Sequence, residues 1–214
     1  MKKIIYLPII AAIVAIGGYM TVENNKNTPI VQSAEYAPIS SSEVIEGLTV
    51  SRTMGSIIVP SNMDEMIQKS DLIIIGKPTQ SITESTPLIQ RDSEGYISEA
   101  ISLTQFKVQR VLKGVPYSDT IAIGQAAAVI TDSQTGRTYL QVVDEYQPLV
   151  KNAQYILFLQ KGLNNSPLYF PSGVYYGKVN TDGADPTEAK IPVVEFQSIR
   201  KAVMERFKPV ADRT

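Results

Sequence analysis

Apolar and polar positions divide the chain first at its N-terminus. Met1, Lys2 and Lys3 precede an uncharged apolar run over residues 4–22, and the polar residues 23–27 follow it. A short positive start before an apolar run is typical of a segment that directs export, with the lysines left on the cytoplasmic side. We therefore expect residues 1–22 to be a signal anchor or a signal peptide, and the rest of the chain to lie outside the cytoplasm.

Two fates of this segment remain open. The run of 19 residues is close to the roughly 20 that a spanning helix needs and exceeds the roughly 7–15 of a cleaved signal. Its length favours a single-pass membrane anchor. The small residues Ala15 and Gly17 nevertheless offer a site for cleavage and secretion. The chain has no cysteine to accept a lipid, so a lipoprotein anchor is excluded.

After the export segment, the composition predicts a linker followed by a folded domain. Residues 23–42 are rich in Asn, Ser, Thr and Pro, a composition typical of a flexible polar linker. Apolar groups recur from residue 43 onward, so we expect one extracytoplasmic domain over residues 43–214. That length fits a single domain with its own core.

Two segments have helical periodicity. Asn62 with Glu65 three residues later predicts a capped helix over residues 63–69. Apolar residues at steps of three and four predict an amphipathic helix over residues 195–208, ended by Pro209. The basic side of the second helix (Arg200, Lys201 and Arg206) suits either solvent or contact with lipid or an acidic partner, and we expect solvent.

Most other apolar runs are short and β-branched, and they are separated by turn residues. They predict strands at 44–59 (one or two), 71–77, 101–112 (with a bulge near Val111), 120–124, 139–143 and 155–159, and a hairpin from 168–170 and 174–179. Residues 83–95 are expected to be a polar loop. The pattern predicts a mainly β fold with two helices, either a barrel or a sandwich.

Three of these segments also carry a resemblance. Residues 70–77, the motif from Phe106 to Gly114 (F-x-V-x-x-V-x-K-G) and the strand beginning at Tyr155 resemble the netrin-like, metalloprotease-inhibitor-like OB-fold barrels over residues 70–180. The resemblance implies an OB-like barrel. Those inhibitors act through an N-terminal cysteine on the protease zinc and have disulfides, and this chain has no cysteine, so inhibition is not expected.

Composition excludes much catalytic chemistry. The chain has no cysteine, histidine or tryptophan, which removes Cys/His zinc sites and Ser-His-Asp or Cys-His nucleophiles. The 20 basic and 21 acidic residues balance to a net charge of −1, so no nucleic-acid partner is expected.

Two local motifs resemble known functional sites. Ser198 and Lys201 match S-x-x-K, but Lys201 falls on the expected wet face of the helix, and acylation chemistry needs a lysine kept neutral by burial. Residues 180–183 with Asp185 and Glu188 resemble a calcium loop only loosely, because Lys178 and Ala189 stand at the first and last EF-hand ligand positions. We therefore predict no catalytic, cofactor or metal residue and leave a loose calcium site near Asp182 open.

The aromatic residues near position 170 have two interpretations. Tyr169, Tyr175 and Tyr176 would form a binding surface if they were exposed, whereas alternate members of a strand would fill the core. The core interpretation is the more ordinary one.

Two hypotheses of function remain. The first is a non-catalytic binding module at the cell surface, anchored through its N-terminal helix, which presents the 83–95 loop and the 169–176 hairpin to a protein or saccharide ligand. The second is a hydrolase of cell-envelope material that uses carboxylates such as Asp144 and Glu145, next to Tyr146. Two facing carboxylates in a cleft would favour the hydrolase.

Overall fold

The computed structural model describes residues 39–211 except Ser56, Gln134 and residues 163–166. The export segment 1–22 and most of the linker lie outside the described residues. Within the described part of the chain, no helix combines the length and the apolar character needed to cross a membrane.

Eleven strands and two α-helices make up the described fold. In chain order they are β1 (Ile39–Ile45), β2 (Leu48–Thr53), α1 (Met63–Lys69), β3 (Leu72–Pro78), β4 (Thr86–Arg91), β5 (Ile97–Lys113), β6 (Thr120–Gln125), β7 (Ala127–Thr131), β8 (Thr138–Val143), β9 (Tyr155–Lys161), β10 (Tyr169–Pro171), β11 (Lys178–Asn180) and α2 (Val194–Ala211), with a 3-10 turn at Glu188–Lys190 before α2.

Five strands close into a barrel. β3, β5 and β6 are antiparallel neighbours, and β9 returns to pair with the free edge of β3, which is a Greek-key arrangement. β10 then pairs antiparallel with β9 and parallel with β6, so the ring is complete. The predicted mainly β fold with two helices is confirmed, and of the two predicted architectures the structure has a closed barrel.

A second sheet lies beside the barrel. Its strand order is β1-β2-β8-β7, with β2 and β8 parallel. The N-terminal half of β5 extends out of the barrel and pairs with β4, and this hairpin contacts β7. The alanines and Ile130 of the hairpin and β7 form a small apolar cluster between them.

Two large cores lie on opposite faces of the barrel wall. In β3, Leu72 and Ile74 point into the lumen, whereas Ile73 and Ile75 point outward. The outward residues join the outer core, which packs the barrel against the second sheet, α1 and α2. Because successive strand residues face opposite sides, two buried faces give a continuous apolar run instead of an alternating one.

Both predicted helices are present. The Asn62 side chain accepts a hydrogen bond from the Glu65 amide (2.9 Å), as a helix N-cap does. In α2, Phe196, Ile199 and Val203 are buried against the outer core, as the periodicity predicted. The expected stop at Pro209 is wrong, because the helix continues to Ala211. A proline in the last turn removes few intrahelical hydrogen bonds, so it does not end the helix there.

Other local predictions need correction. The expected loop over residues 83–95 contains β4, and β7 was not predicted. The expected hairpin between 168–170 and 174–179 does not form: β10 and β11 both pair with β9, at successive positions, and residues 172–177 bulge out between them. β1 starts at Ile39, within the last residues of the segment expected to be linker.

Candidate functional site

Buried polar side chains collect at one end of the barrel lumen. Lys178 lies directly opposite Leu157 in the β11–β9 pair, and Asn180 lies opposite Tyr155. Directly paired residues of antiparallel strands share one face. Lys178 therefore points to the same side as Leu157 and Tyr155, which line the lumen.

Lys178 is the centre of this polar end. Its side chain is completely buried, and its Nζ lies 3.6 Å from Asp185 Oδ2 and 3.5 Å from Glu188 Oε2. The rings of Tyr146 and Tyr155 lie 5.7 and 5.3 Å from the same nitrogen. In the described part of the chain Nζ makes no hydrogen bond, so charge and ring contacts alone surround it. We call these five residues (Lys178, Asp185, Glu188, Tyr146 and Tyr155) the ionic cluster.

The Asp185 carboxylate is held by donors on both oxygens. Oδ1 accepts hydrogen bonds from the Thr187 amide (3.1 Å), the Thr187 hydroxyl (2.6 Å) and the Glu188 amide (3.2 Å). Oδ2 accepts one from the Tyr155 hydroxyl (2.8 Å). Burial opposes the charged form, but the Lys178 charge and these donors outweigh it and lower the pKa of Asp185.

Glu188 faces two cations, and its pKa is shifted in the opposite direction from that of Asp185. Burial raises the pKa of Glu188 although Lys178 and the Asn180 amide favour its charged form. Its oxygens accept hydrogen bonds from the Asn180 amide (2.8 and 3.0 Å), and Oε1 lies 3.2 Å from Arg200 Nε of α2. Two neighbouring carboxyl groups whose pKa values are shifted in opposite directions can pass a proton from one to the other.

A hydrogen-bond chain leads away from the ionic cluster across the lumen. The Tyr146 hydroxyl donates to Gln125 Oε1 (3.1 Å), and the Gln125 amide donates to Thr104 Oγ1, which lies 2.6 Å from Ser85 Oγ. Burial raises the pKa values of both Tyr146 and Tyr155. The two phenols therefore stay protonated and act as hydrogen-bond donors.

The calcium interpretation finds no cluster to support it. Asp182 accepts hydrogen bonds from the Gln154 and Ala184 amides and from the Asn180 side chain, which shape its own loop. Asp185 and Glu188 turn inward toward Lys178. Among the described residues no group of three or more acidic side chains is arranged to hold a metal ion.

The other residues considered for catalysis lie apart from the ionic cluster. Ser198 and Lys201 are exposed on α2. The Asp144 carboxylate accepts a hydrogen bond from the Gly55 amide (3.2 Å), and Glu145 lies 3.9 Å from Arg52, which also pairs with Glu43. The sequence placed Tyr146 beside this pair, but its ring is completely buried and lies 5.7 Å from Lys178 Nζ instead.

The basic side of α2 is only partly solvated. Lys201 is exposed, Arg200 pairs with Glu188, and Arg206 lies 3.3 Å from Asp64 of α1. Two of the three cations thus pair with the folded domain.

The tyrosines fill the core. Tyr169, Tyr175 and Tyr176 are all buried. The rings of Tyr175 and Tyr176 stack at 4.7 Å and both meet the edge of Phe196 in α2. The core interpretation is confirmed, and the 169–176 segment presents no tyrosine surface to a ligand.

The outer face of β5 and β6 is different in character. Gln105, Lys107 and Gln109 are exposed along β5, and Ala122 and Thr120 of β6 lie opposite Gln105 and Lys107. We call these five residues the β5–β6 face.

Phe170 covers one end of the β5–β6 face. It is half-buried and lies directly over Gly124, where an added Cβ would come within 2.1 Å of the ring. Gly124 alternates with Ala122 and Thr120 along β6, so the phenyl ring is on the same side as the exposed amides and ammonium.

Comparisons with protein-family models, with curated proteins and with solved structures found no match. Function must therefore be argued from the two polar regions of the molecule. Sequence reasoning missed Lys178 as a buried cation. The available clue was its position inside an otherwise apolar segment between Tyr176 and Val179.

Proposed function

We propose that the protein is an exported, non-catalytic binding module that is anchored in the cell membrane by residues 1–22 and binds saccharides of the cell surface through the β5–β6 face. The proposal keeps the class of function that the sequence suggested. It moves the binding surface from the 83–95 and 169–176 segments to the outer wall of the barrel.

An OB-like barrel is the architecture within which we place this face. The OB-fold is a five-stranded Greek-key barrel that binds oligosaccharides and oligonucleotides on its second and third strands. In the present barrel those strands are β5 and β6. The strand order and the parallel β6–β10 closure support this assignment.

The chemistry of the β5–β6 face is the observation that carries the proposal. Gln105 and Lys107 offer an amide and an ammonium group to sugar hydroxyls without a large charge. Gln109, whose Oε1 accepts a hydrogen bond from the Gln154 side chain, adds its amide nitrogen. Phe170 adds an aromatic ring at the end of the face nearest Gln105, and aromatic rings with a few polar groups are common in ligand sites. Such a surface suits a neutral, hydroxyl-rich ligand better than a polyanion.

The carboxylates support binding over hydrolysis. Asp144 and Glu145 engage the Gly55 amide and Arg52 on the surface. Asp185 and Glu188 are buried around Lys178, away from any exposed face. A hydrolase needs two carboxylates that both reach one substrate bond, and no observation favours that alternative.

The membrane arrangement is tested by topology mapping. We expect a reporter that is active only outside the cytoplasm to be active when fused after residue 214. Mass analysis of the isolated protein should show residues 4–22 retained. A mature chain that begins just after Gly17 would replace the anchor by a cleaved signal and secretion.

Binding is tested by NMR titration of the full-length chain in detergent micelles with cell-envelope polysaccharide fragments. We expect amide shifts at Gln105, Lys107 and Thr120, and a loss of at least about tenfold in affinity for Lys107→Ala and Phe170→Ala. Lys201→Ala and Tyr96→Ala, at exposed sites on α2 and the β4–β5 turn, are matched controls that should bind normally.

Two results would contradict the saccharide assignment. Shifts confined to another surface would remove the β5–β6 face from the proposal. An absence of saccharide binding, together with a protein captured by crosslinking through the β5–β6 face, would change the ligand class to protein.

A further inference from the structure

The contact between Lys178 and Asp185 has the parts of an amide-forming site. A primary amine and a carboxylate lie 3.6 Å apart, both completely buried. The amine makes no hydrogen bond within the described structure. An ammonium with three unused donors in a dry site is costly to maintain, whereas an uncharged amide nitrogen has only one donor to satisfy.

The surroundings of Asp185 resemble those of an acyl group prepared for attack. Two backbone amides and the Thr187 hydroxyl donate to Oδ1. Donors fixed around one carboxyl oxygen are what stabilises the oxyanion of a tetrahedral intermediate. The other oxygen, Oδ2, faces both Lys178 Nζ and the Tyr155 hydroxyl, so it is placed to leave.

We propose that Lys178 and Asp185 form an intramolecular isopeptide bond in the folded protein, with Glu188 carrying the protons. This inference is independent of the saccharide proposal, because the ionic cluster lies inside the barrel and the β5–β6 face lies outside it.

The reaction balances without any co-reactant. Glu188, 3.5 Å from Nζ, takes a proton from the ammonium and passes it to Oδ2 of Asp185, and the free amine then attacks Cγ of this neutral carboxyl group. The intermediate carries its negative charge on Oδ1. The amine then gives up a second proton, Oδ2 leaves with both protons as water, and a neutral amide remains. The raised pKa of Glu188, caused by its burial, suits a group that must accept and return protons.

The product relieves a charge problem. Two buried opposite charges become one neutral amide, so the desolvation cost of that pair disappears. Glu188 keeps its contact with Arg200 and is not left as an unpaired charge. Burial also keeps out the water that would hydrolyse the bond.

The test is peptide mass analysis of the full-length protein purified in its folded state. Trypsin should fail to cleave after Lys178 and should release residues 162–190 as one peptide, lighter than its sequence mass by about 18 Da for the lost water. Fragmentation should place the link between Lys178 and Asp185. A succinimide at Asp182-Gly183 has the same mass loss but leaves Lys178 cleavable and opens with hydroxylamine, which an isopeptide bond resists.

Three variants sharpen the result. In Asp185→Asn the leaving group is ammonia, so the peptide should be lighter by about 17 Da than its own sequence mass. Glu188→Gln should fold, as circular dichroism will check, and should lose most of the bond. Lys201→Arg should keep it fully.

The proposal is overturned if the wild-type peptide has its full sequence mass and is cleaved after Lys178. A complete bond in folded Glu188→Gln would remove Glu188 from the mechanism.

Discussion

The barrel interior contains two regions that are equally buried and differ in what specifies them. The apolar lumen, formed by residues such as Leu72, Ile74, Phe106 and Leu157, is completely buried, and so are Lys178 and Glu188 in the ionic cluster. The lumen is specified by volume and shape, since each apolar side chain accepts many neighbours. The ionic cluster is specified by pairing, since each charge there depends on a particular opposite charge or donor.

Burial does not by itself define how well a position tolerates substitution. β9 belongs to both regions, because Leu157 packs in the lumen while the hydroxyl of Tyr155 binds Asp185. A change of side-chain size therefore matters at Leu157, and a change of hydrogen bonding matters at Tyr155, two residues away on the same strand.

The largest expected effect comes from breaking the ionic cluster. Lys178→Met should lower the free energy of unfolding by about 3–5 kcal/mol, because it removes the partner of Asp185, whether ion-paired or amide-bonded, and leaves that carboxylate buried without it. Denaturant unfolding measures the loss, and Lys201→Met on the exposed side of α2 should stay within about 0.5 kcal/mol. Combining Lys178→Met with Asp185→Asn and Glu188→Gln should recover part of the lost free energy of unfolding. No recovery would mean that side-chain size, and not charge, specifies the ionic cluster as well.

A cavity in the apolar lumen should come next. Leu157→Ala is expected to cost about 2–5 kcal/mol through lost contacts and the space left behind. Leu157→Met, which nearly conserves volume, should cost less than about 1.5 kcal/mol. Equal losses for the two variants in urea unfolding would contradict the view that volume specifies the lumen.

Glu99 is a half-buried carboxyl that pairs with no cation among the described residues. Burial raises its pKa from the ordinary 4.5 to about 7. A raised pKa means that the folded state holds the proton more tightly, so the contribution of Glu99 to stability is fully present below about pH 4.5 and is lost as the pH rises through about 7. Because the group is only half-buried, screening limits the contribution to about 1–2 kcal/mol.

Glu99→Gln should therefore flatten the stability profile over this pH range, measured as melting temperature at several pH values. Glu94→Gln, at an exposed position in the same hairpin, is the control and should leave the profile unchanged. An unaltered slope in Glu99→Gln would show that another group titrates.

The smallest expected effect is at the surface, where water competes with every polar contact. Asn62→Ala removes the cap that accepts the Glu65 amide and should cost about 1 kcal/mol. Asn62→Asp, which retains the acceptor, should be nearly neutral in thermal unfolding. A loss as large as that of Lys178→Met would mean that α1 is held by its cap and not by the outer core.

Helices α1 and α2 and the strands β3, β6, β8 and β9 follow from local sequence. Their signals are contained in the segments themselves: a cap such as Asn62, an apolar stripe such as Phe196 to Val203, or a β-branched run such as residues 72–75. Local propensity and periodicity act over a few residues, so the sequence can be interpreted there without knowledge of the partners.

Pairing across the fold could not be derived in this way. β4 is polar and half-exposed, and it is a strand because β5 is long enough to offer it a partner. β10 and β11 are three residues each and exist through their hydrogen bonds to β9. The ionic cluster shares this origin in part, because Asp185 and Glu188 follow Lys178 closely in the chain, whereas Tyr146 and Tyr155 reach it from other segments.

Composition and local patterns were enough to predict the mainly β class, the two helices, the lack of cysteine and histidine chemistry, and an export segment. These depend on composition and on patterns within single segments. The tertiary structure alone decided the closure of the barrel, the burial of Lys178 between two carboxylates and two phenols, and the exposure of the β5–β6 face. The barrel closure and the β5–β6 face depend on residues far apart in the chain, and the burial of Lys178 depends on the distant Tyr146 and Tyr155 as well as on the nearby Asp185 and Glu188. Their meeting is set by strand pairing and by the cost of leaving a buried polar group without a partner.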